Sequence, residues 1–291
     1  MILVTGATGN VGSQVVMQLV DLGIGHRALV HNLSHAERIA GPGVEIVEGD
    51  YGDPDSLDRI MQNVDHVFLL SPSGPKQLEW EGNVVDAAIR AGVDHLVKLS
   101  VFGGGPFTPI NLLRWHWESE KYIENCGIPF THVRPNLYMQ DILGFADSIA
   151  KEGKFYGCMR NGRMSMIDVR DVATIAVMAL TQEGHIDRSY ELTGSEALSY
   201  YDVAAILSNV LNRPVQYVDL PPADFRKGML DMGMPDWLAD DFINYQNYFA
   251  NDQGTQTTNW FLRLTGRAPI TFDEFVRNYA DIFMGRRKMA A

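Results

Sequence analysis

Gly6-Ala7-Thr8-Gly9-Asn10-Val11-Gly12 follows the apolar run Ile2-Leu3-Val4-Thr5 and opens a stretch, 11–22, whose apolar residues recur at helical spacing. Each glycine has a physical reason to be there. A strand that turns directly into a helix needs backbone angles that a side chain forbids. A pyrophosphate must approach the chain without meeting a Cβ, and Gly12 lets the helix pack close to the sheet. The free N–H groups at the helix start then face the anion, with the positive end of the helix dipole behind them. Glycine triplets arise by chance in a chain with 27 glycines. The strand ahead of this one and the helix behind it make it a dinucleotide loop.

Outward from the loop the same alternation repeats. Apolar runs at 2–5, 27–30, 44–47, 66–70, 95–99 and 130–133 read as strands, with helices at 11–22, 34–40, 55–62, 77–91 and 114–126 between them. Short apolar strands separated by helices predict βαβ units and a parallel sheet covered on both faces. Asp55 is expected to cap the third helix after Asp53-Pro54, and Gly92 and Gly127 to end the next two. Past Pro135 the pattern loosens. Helices are expected at 168–180 and 200–211, strands at 190–193 and 215–218, then a mainly helical run to Met284. The expected fold class is α/β, a Rossmann-type doubly wound parallel sheet with a smaller, mainly helical C-terminal substrate cap. Residues 1–135 would form the dinucleotide-binding domain. Residues 136–291 would complete the sheet and lie over the carboxyl ends of its strands, where open α/β sheets bind ligands.

Composition narrows the class. The 291 residues carry 24 basic and 36 acidic side chains, a net charge of −12. A nucleic-acid partner calls for clustered positive charge, so none is expected. No apolar run approaches the roughly 20 residues of a membrane span, so no membrane partner is expected. Ile2-Leu3-Val4 has no apolar leader ahead of it, which points to the cytoplasm. Two cysteines, Cys126 and Cys158, exclude a disulfide scaffold. The chain has no Gly-x-Ser-x-Gly elbow, no Cys-x-x-Cys and no His-Glu-x-x-His. His31 and His35 share a helical spacing with no third ligand nearby in sequence, so no metal site is expected.

The spacing of Thr5-Gly6-Ala7-Thr8-Gly9 resembles the short-chain dehydrogenase/reductase superfamily rather than lactate-type dehydrogenases. Further motifs are similar to its atypical, NmrA-like branch. These are Gly49-Asp50-Tyr51, Gly127-Ile128-Pro129-Phe130-Thr131, Val133-Arg134-Pro135-Asn136, Ile167-Asp168-Val169-Arg170-Asp171-Val172-Ala173 and Tyr190-Glu191-Leu192-Thr193-Gly194. The resemblance spans nearly the whole chain. That branch holds NAD(P)H-dependent quinone, azo-dye and triphenylmethane-dye reductases beside cofactor-sensing regulators.

The resemblance implies a pyrophosphate on Gly6, Thr8, Gly9, Asn10, Val11 and Gly12, with Asp50 and Tyr51 flanking the adenine. Leu70 and Ser71 would pass the adenosine ribose, Ser100 and Val101 the nicotinamide ribose, and Pro135 and Asn136 the carboxamide. For Asp50 and Ser100, both at strand ends, a turn or cap is the alternative. An NAD site wants an acid about 20 residues after the loop. This chain offers His31-Asn32 there and no acid before Glu37, while His31, His35 and Arg38 supply positive charge. NADP(H) is therefore favoured over NAD(H).

Typical members of the superfamily use a tyrosine acid with a lysine four residues later. The lysines here are 76, 98, 121, 151, 154, 227 and 288, and none has a tyrosine four before it. His116 falls near the lysine slot and Leu112 near the tyrosine slot. His116 is the candidate catalytic residue, with a ribose or pocket contact, or pairing with Glu120 at i+4, as alternatives. Hydride transfer belongs to the nicotinamide and survives loss of the acid. The missing dyad points to small conjugated or aromatic acceptors such as quinones, azo bonds or dyes. Trp115, Trp117, Tyr138, Met139, Phe145, Phe155 and Tyr156 are candidates for an apolar pocket, with core packing as the alternative. The second functional reading is a non-catalytic, redox-sensing regulator. A homodimer is open in either reading.

Overall fold

Leu3, Val4, Ala28, Val67, Phe68, Leu96 and Val97 have no solvent-accessible surface. Strands this apolar can sit only inside a sheet covered on both faces, and that is where they fall. A computed structural model describes residues 1–287, His35 by its backbone alone. β1 (Ile2–Val4) leads through the glycine loop into α1 (Asn10–Asp21). β2 (His26–Val30), β3 (Val44–Glu48), α2 (Pro54–Ile60), β4 (His66–Leu69) and α3 (Gln77–Ala91) follow, then β5 (His95–Leu99), α4 (Asn111–Asn125) and β6 (Phe130–Pro135).

Among the described residues the main sheet has seven strands in the order β3-β2-β1-β4-β5-β6-β9, where β9 is Arg188–Leu192. β1 pairs in parallel with β2 (Ile2 opposite His26) and with β4 (Ile2 opposite His66). The strand order reverses at β1. The crevice outside its carboxyl end is the topological switch point, where doubly wound sheets bind ligands.

The chain divides into two compact units. The first comprises Met1–Pro135 and Val169–Glu191. It holds the sheet, α1 to α4, and α6 (Val169–Thr181), which packs on α1. The second comprises Asn136–Asp168 and Leu192–Ala291, described to Arg287. It contains α5 (Ala146–Glu152), β7 (Lys154–Gly157), β8 (Arg163–Met164), β10 (Leu198–Ser199), α7 (Tyr200–Leu211) and β11 (Gln216–Asp219). α8 (Pro222–Asp231), α9 (Asp236–Ala250), α10 (Trp260–Thr265), α11 (Phe272–Asn278) and α12 (Ala280–Phe283) complete it. Its core is aromatic: Phe155 has no exposed surface and lies 5.4 Å from both the Tyr200 and Tyr217 rings. Among the described residues no helix is long and apolar enough to cross a membrane.

Two local expectations need adjustment. The stretch expected as a helix at 34–40 is a 3-10 turn, Leu33–Arg38, with the Asn32 side chain accepting from Ser34 N–H at 2.9 Å. Asp53, not Asp55, caps α2, accepting from Asp55 N–H at 3.1 Å. Pro54 explains the shift, because it is pre-set for the first helical position and needs no N–H there. The short strands β7, β8 and β10 have no alternating pattern long enough to read in advance. Gly92 and Gly127 take the left-handed conformations expected of helix stops, with φ of 73° and 82°.

The sheet also buries histidines. Burial holds the His95 and His132 rings down at about 4, from an ordinary value of 6.5. Above pH 6.5 both rings are neutral whether the chain is folded or not. Between 6.5 and 4 the unfolded chain takes protons that the fold refuses, so stability falls through that window and levels off below it. Each ring contributes up to about 3 kcal/mol of that loss. Denaturant midpoints at pH 7.5, 5.5 and 4.5 should decline accordingly. His132→Phe should flatten part of the decline at little cost at pH 7.5, because among the described residues neither His132 ring nitrogen has a hydrogen-bond partner. A midpoint unchanged down to pH 4.5 would contradict the burial.

Candidate functional site

The glycine loop separates into three roles. Gly6 has φ of +60°, and a Cβ there would lie 2.8 Å from the Leu70 carbonyl oxygen. A Cβ at Gly12 would sit 2.1 Å from the Gly6 carbonyl oxygen, inside the loop itself. These two glycines are demanded by the fold. Gly9 is different: its φ is negative, and its Cβ would meet a single neighbour within 4 Å, the Gly6 oxygen at 3.3 Å. A Cβ there would ask the Gly6 carbonyl to give by a few tenths of an ångström, far less than at the other two glycines.

Around this loop the ends of β1 and β4 are bolted together. Thr5 Oγ1 accepts from Leu70 N–H at 2.8 Å and lies 2.9 Å from the Leu70 carbonyl. The Tyr51 hydroxyl accepts from Gly6 N–H and donates to the Leu70 carbonyl, both at 2.9 Å. Burial raises that hydroxyl to about 12, so it stays protonated. Tyr51 thus holds the loop's shape through its hydroxyl. Asp50 is exposed and its Oδ1 accepts from Gly52 N–H at 2.7 Å, the turn alternative for this residue. Thr8 is half-buried and Asn10 exposed at the helix start, while Val11 is buried. His31 is exposed at the end of β2, as is Arg38; the His35 side chain lies outside the described groups.

Next along the sheet edge lies a buried polar network that sequence reasoning missed. Lys98 on β5 is wholly buried, with Nζ 2.8 and 2.9 Å from the two carboxylate oxygens of Glu81 on α3. The Ser71 hydroxyl donates to Glu81 at 3.0 Å. Ser71 is thereby committed to the network. Lys98 Nζ also lies 3.2 Å from His116 Nδ1, which the Gln77 amide approaches at 3.1 Å. Desolvation and then the Lys98 charge hold His116 well below its ordinary 6.5. A warning was present in the sequence. Lys98 interrupts the apolar run of β5 between Val97 and Leu99, and a lysine is almost never fully buried unless paired. Its partners, however, come from two helices.

His116 does not pair with Glu120. That carboxylate is bound in a two-pronged ion pair to Arg134, at 2.8 and 2.7 Å. Glu120, Glu124 and His132 have the donor types and closeness of a metal triad, within 4.8 Å of one another. The Arg134 cation already neutralises Glu120, which favours an ion-paired cluster over a metal ion. Trp115 and Trp117 are half-buried on α4, either side of His116; Ser100 is buried and Val101 half-buried after β5. The Pro135 carbonyl accepts from Phe102 N–H at 2.9 Å.

In the second unit Asn136 is buried, its amide donating to Ser165 Oγ and the Gly254 carbonyl at 2.9 Å each. Its Oδ1 accepts from Leu137 N–H at 2.8 Å, so both amide donors and one acceptor position are used within the unit. Met139 is only 2% exposed and belongs to the apolar core. Phe145 packs on Phe155 at 5.5 Å, and the Tyr156 hydroxyl donates to Glu152 at 2.8 Å. Tyr138 is half-buried, and burial raises its pKa. A cavity of about 450 Å³ in this unit is lined by Cys158, Arg160, Asp219, Leu220, Pro221, Pro222 and Asn247, none of them an expected pocket residue.

The sequence profile of the NmrA-like family matches residues 1–279. The chain is 36% identical to the NAD(P)H azoreductase of Xenophilus azovorans over 283 residues, 97% of this chain and 99% of that protein. The NADPH-dependent quinone oxidoreductase of Escherichia coli, solved in complex with NADPH, superposes with a TM-score of 0.88 at 28% identity. That match covers 96% of this chain and 100% of the other. Triphenylmethane reductase of Citrobacter sp., complexed with NADP(H), gives a TM-score of 0.85 at 26% identity, covering 96% and 99%.

Proposed function

The chain belongs to the NmrA-like family, and from that premise we propose that it reduces small conjugated or aromatic acceptors, such as quinones, azo compounds and dyes, with NAD(P)H. The observation that carries this is Gly9. It is a bare Cα with backbone angles open to any residue, where a Cβ would meet one neighbour, at the switch point of a doubly wound sheet and the start of a helix. The loop fits a dinucleotide: Gly9, Asn10 and Val11 would hold the pyrophosphate, with Gly6 and Gly12 shaping the turn. When bound, the nicotinamide supplies the hydride. The rest of the work falls to the protein. Backbone N–H groups of α1 take the phosphate charge, the Tyr51 and Thr5 hydroxyls hold the loop to the end of β4, and His116 stands on α4 against Lys98 of β5.

The test is steady-state oxidation of NADPH and NADH, followed at 340 nm, across a panel of a quinone, an azo dye and a triphenylmethane dye. Turnover with at least one is expected. Tight NAD(P) binding with no turnover on any of them would sink the reductase reading.

We also read NADPH as preferred over NADH. An exposed His31 at the end of β2 admits a 2′-phosphate where an acid would repel it, and Arg38 follows on the next turn. His31→Arg adds a permanent charge with a planar fork suited to phosphate. The NADPH-to-NADH affinity ratio should rise by roughly 3- to 10-fold. A flat ratio would place the phosphate elsewhere.

A further inference from the structure

We propose that Lys98 fixes His116 as a proton donor to the reduced acceptor and reloads it, so that a lysine–histidine relay supplies the proton for which this chain has no tyrosine–lysine dyad. The proposal rests on the reductase reading above. Its basis is the direction in which each hydrogen bond must run. An ammonium group has donors and no acceptor. Lys98 Nζ lies 3.2 Å from His116 Nδ1, so Nδ1 accepts, and the Gln77 amide at 3.1 Å donates to the same atom. A neutral imidazole carries one proton. It is therefore on Nε2, and among the described residues Nε2 takes no hydrogen bond. The ring is held neutral by its burial and by the Lys98 charge.

The chemistry balances. Hydride addition to a quinone reduces it by two electrons and leaves an anionic oxygen. His116 Nε2–H gives its proton to that oxygen while Lys98 Nζ–H passes a proton to Nδ1. Lys98 becomes an amine while Glu81 keeps its negative charge 2.8 Å away; His116 Nε2 then takes a proton from solvent and Nδ1 hands its proton back to Lys98, which restores the ammonium and the starting ring. The sum is quinone plus NAD(P)H plus one proton, giving hydroquinone plus NAD(P)⁺. A triphenylmethane dye cation differs in one respect: hydride alone neutralises it, and no proton is consumed. The two acceptors therefore separate proton supply from every other function of the site.

The experiment measures kcat on a quinone and on a triphenylmethane dye cation for the wild type, His116→Ala, and the paired variant Lys98→Met/Glu81→Leu. The paired variant removes the ammonium without stranding a buried carboxylate. Both variants should lose at least 30-fold in kcat on the quinone, with KM little changed, and less than 3-fold on the dye cation. Imidazole ¹⁵N shifts of the wild type, which do not depend on turnover, should show His116 protonated on Nε2 and bare at Nδ1. Equal losses on both acceptors would mean a structural role and overturn the relay, as would a proton on Nδ1. Failure of the wild type to reduce any acceptor would overturn the reductase reading itself, and the relay with it.

Discussion

Gly9→Val should lower NADPH affinity at least 100-fold, about 3 kcal/mol, while the melting temperature stays within a few degrees of the wild type. The separation of the two effects is the point. Gly9 has ordinary extended backbone angles (φ −79°, ψ 176°) that valine adopts freely, and its side chain would lean only on the Gly6 oxygen at 3.3 Å. It contributes no side-chain cap to α1 that could be lost. The branched carbons would instead occupy the face through which a pyrophosphate reaches the helix N–H groups. Gly12→Ala supplies the contrast. Its Cβ, 2.1 Å from the Gly6 oxygen, forces the loop off the helix, so stability and binding should fall together. Calorimetric titration and thermal melts on both variants check this. Near-wild-type affinity in Gly9→Val would remove the dinucleotide from the loop.

Glu81→Gln should be the most destabilising conservative change in the first unit, costing roughly 3–5 kcal/mol. The side chains of Lys98 and Glu81 are 0% and 1% exposed, so no water can replace the lost charge. Removing one member of a buried ion pair leaves the other desolvated and uncompensated, whereas replacing both with apolar groups of similar volume is often neutral. At about 2–4 °C per kcal/mol for a chain of this size, the melting temperature should drop on the order of 10 °C. Lys98→Met/Glu81→Leu should recover most of it. A Glu81→Gln protein as stable as the wild type would show that the pair is solvated.

Much of the first unit was legible because its periodicity is local. The expected helix at 77–91 and strand at 95–99 coincide with α3 and β5, and the other strands up to Pro135 shift by two residues at most. The left-handed stops at Gly92 and Gly127 were readable for the same reason, since only glycine adopts that geometry without strain. Asp55 was misassigned because two aspartates flank one proline, and the choice of cap depends on which N–H groups remain unpaired. In the second unit, aromatic residues such as Met139's neighbour Phe145, and Phe155, fit a pocket or a core equally well by pattern. Packing puts Met139 and Phe155 in the core.

The sequence by itself determined the dinucleotide loop, the wound sheet and the absence of a tyrosine–lysine pair at four-residue spacing, because each is a matter of neighbours along the chain. Only the tertiary structure decided which glycines the fold itself demands, and what surrounds His116. Gly6, Gly9 and Gly12 differ in what a Cβ would strike, which is a property of space and not of spacing. Lys98, Glu81, Gln77 and His116 come from β5, α3 and α4, up to 39 residues apart in the chain. No local pattern joins them. Burial does, because a lysine closed inside a parallel sheet must find its acceptors across helices that only the folded chain brings near.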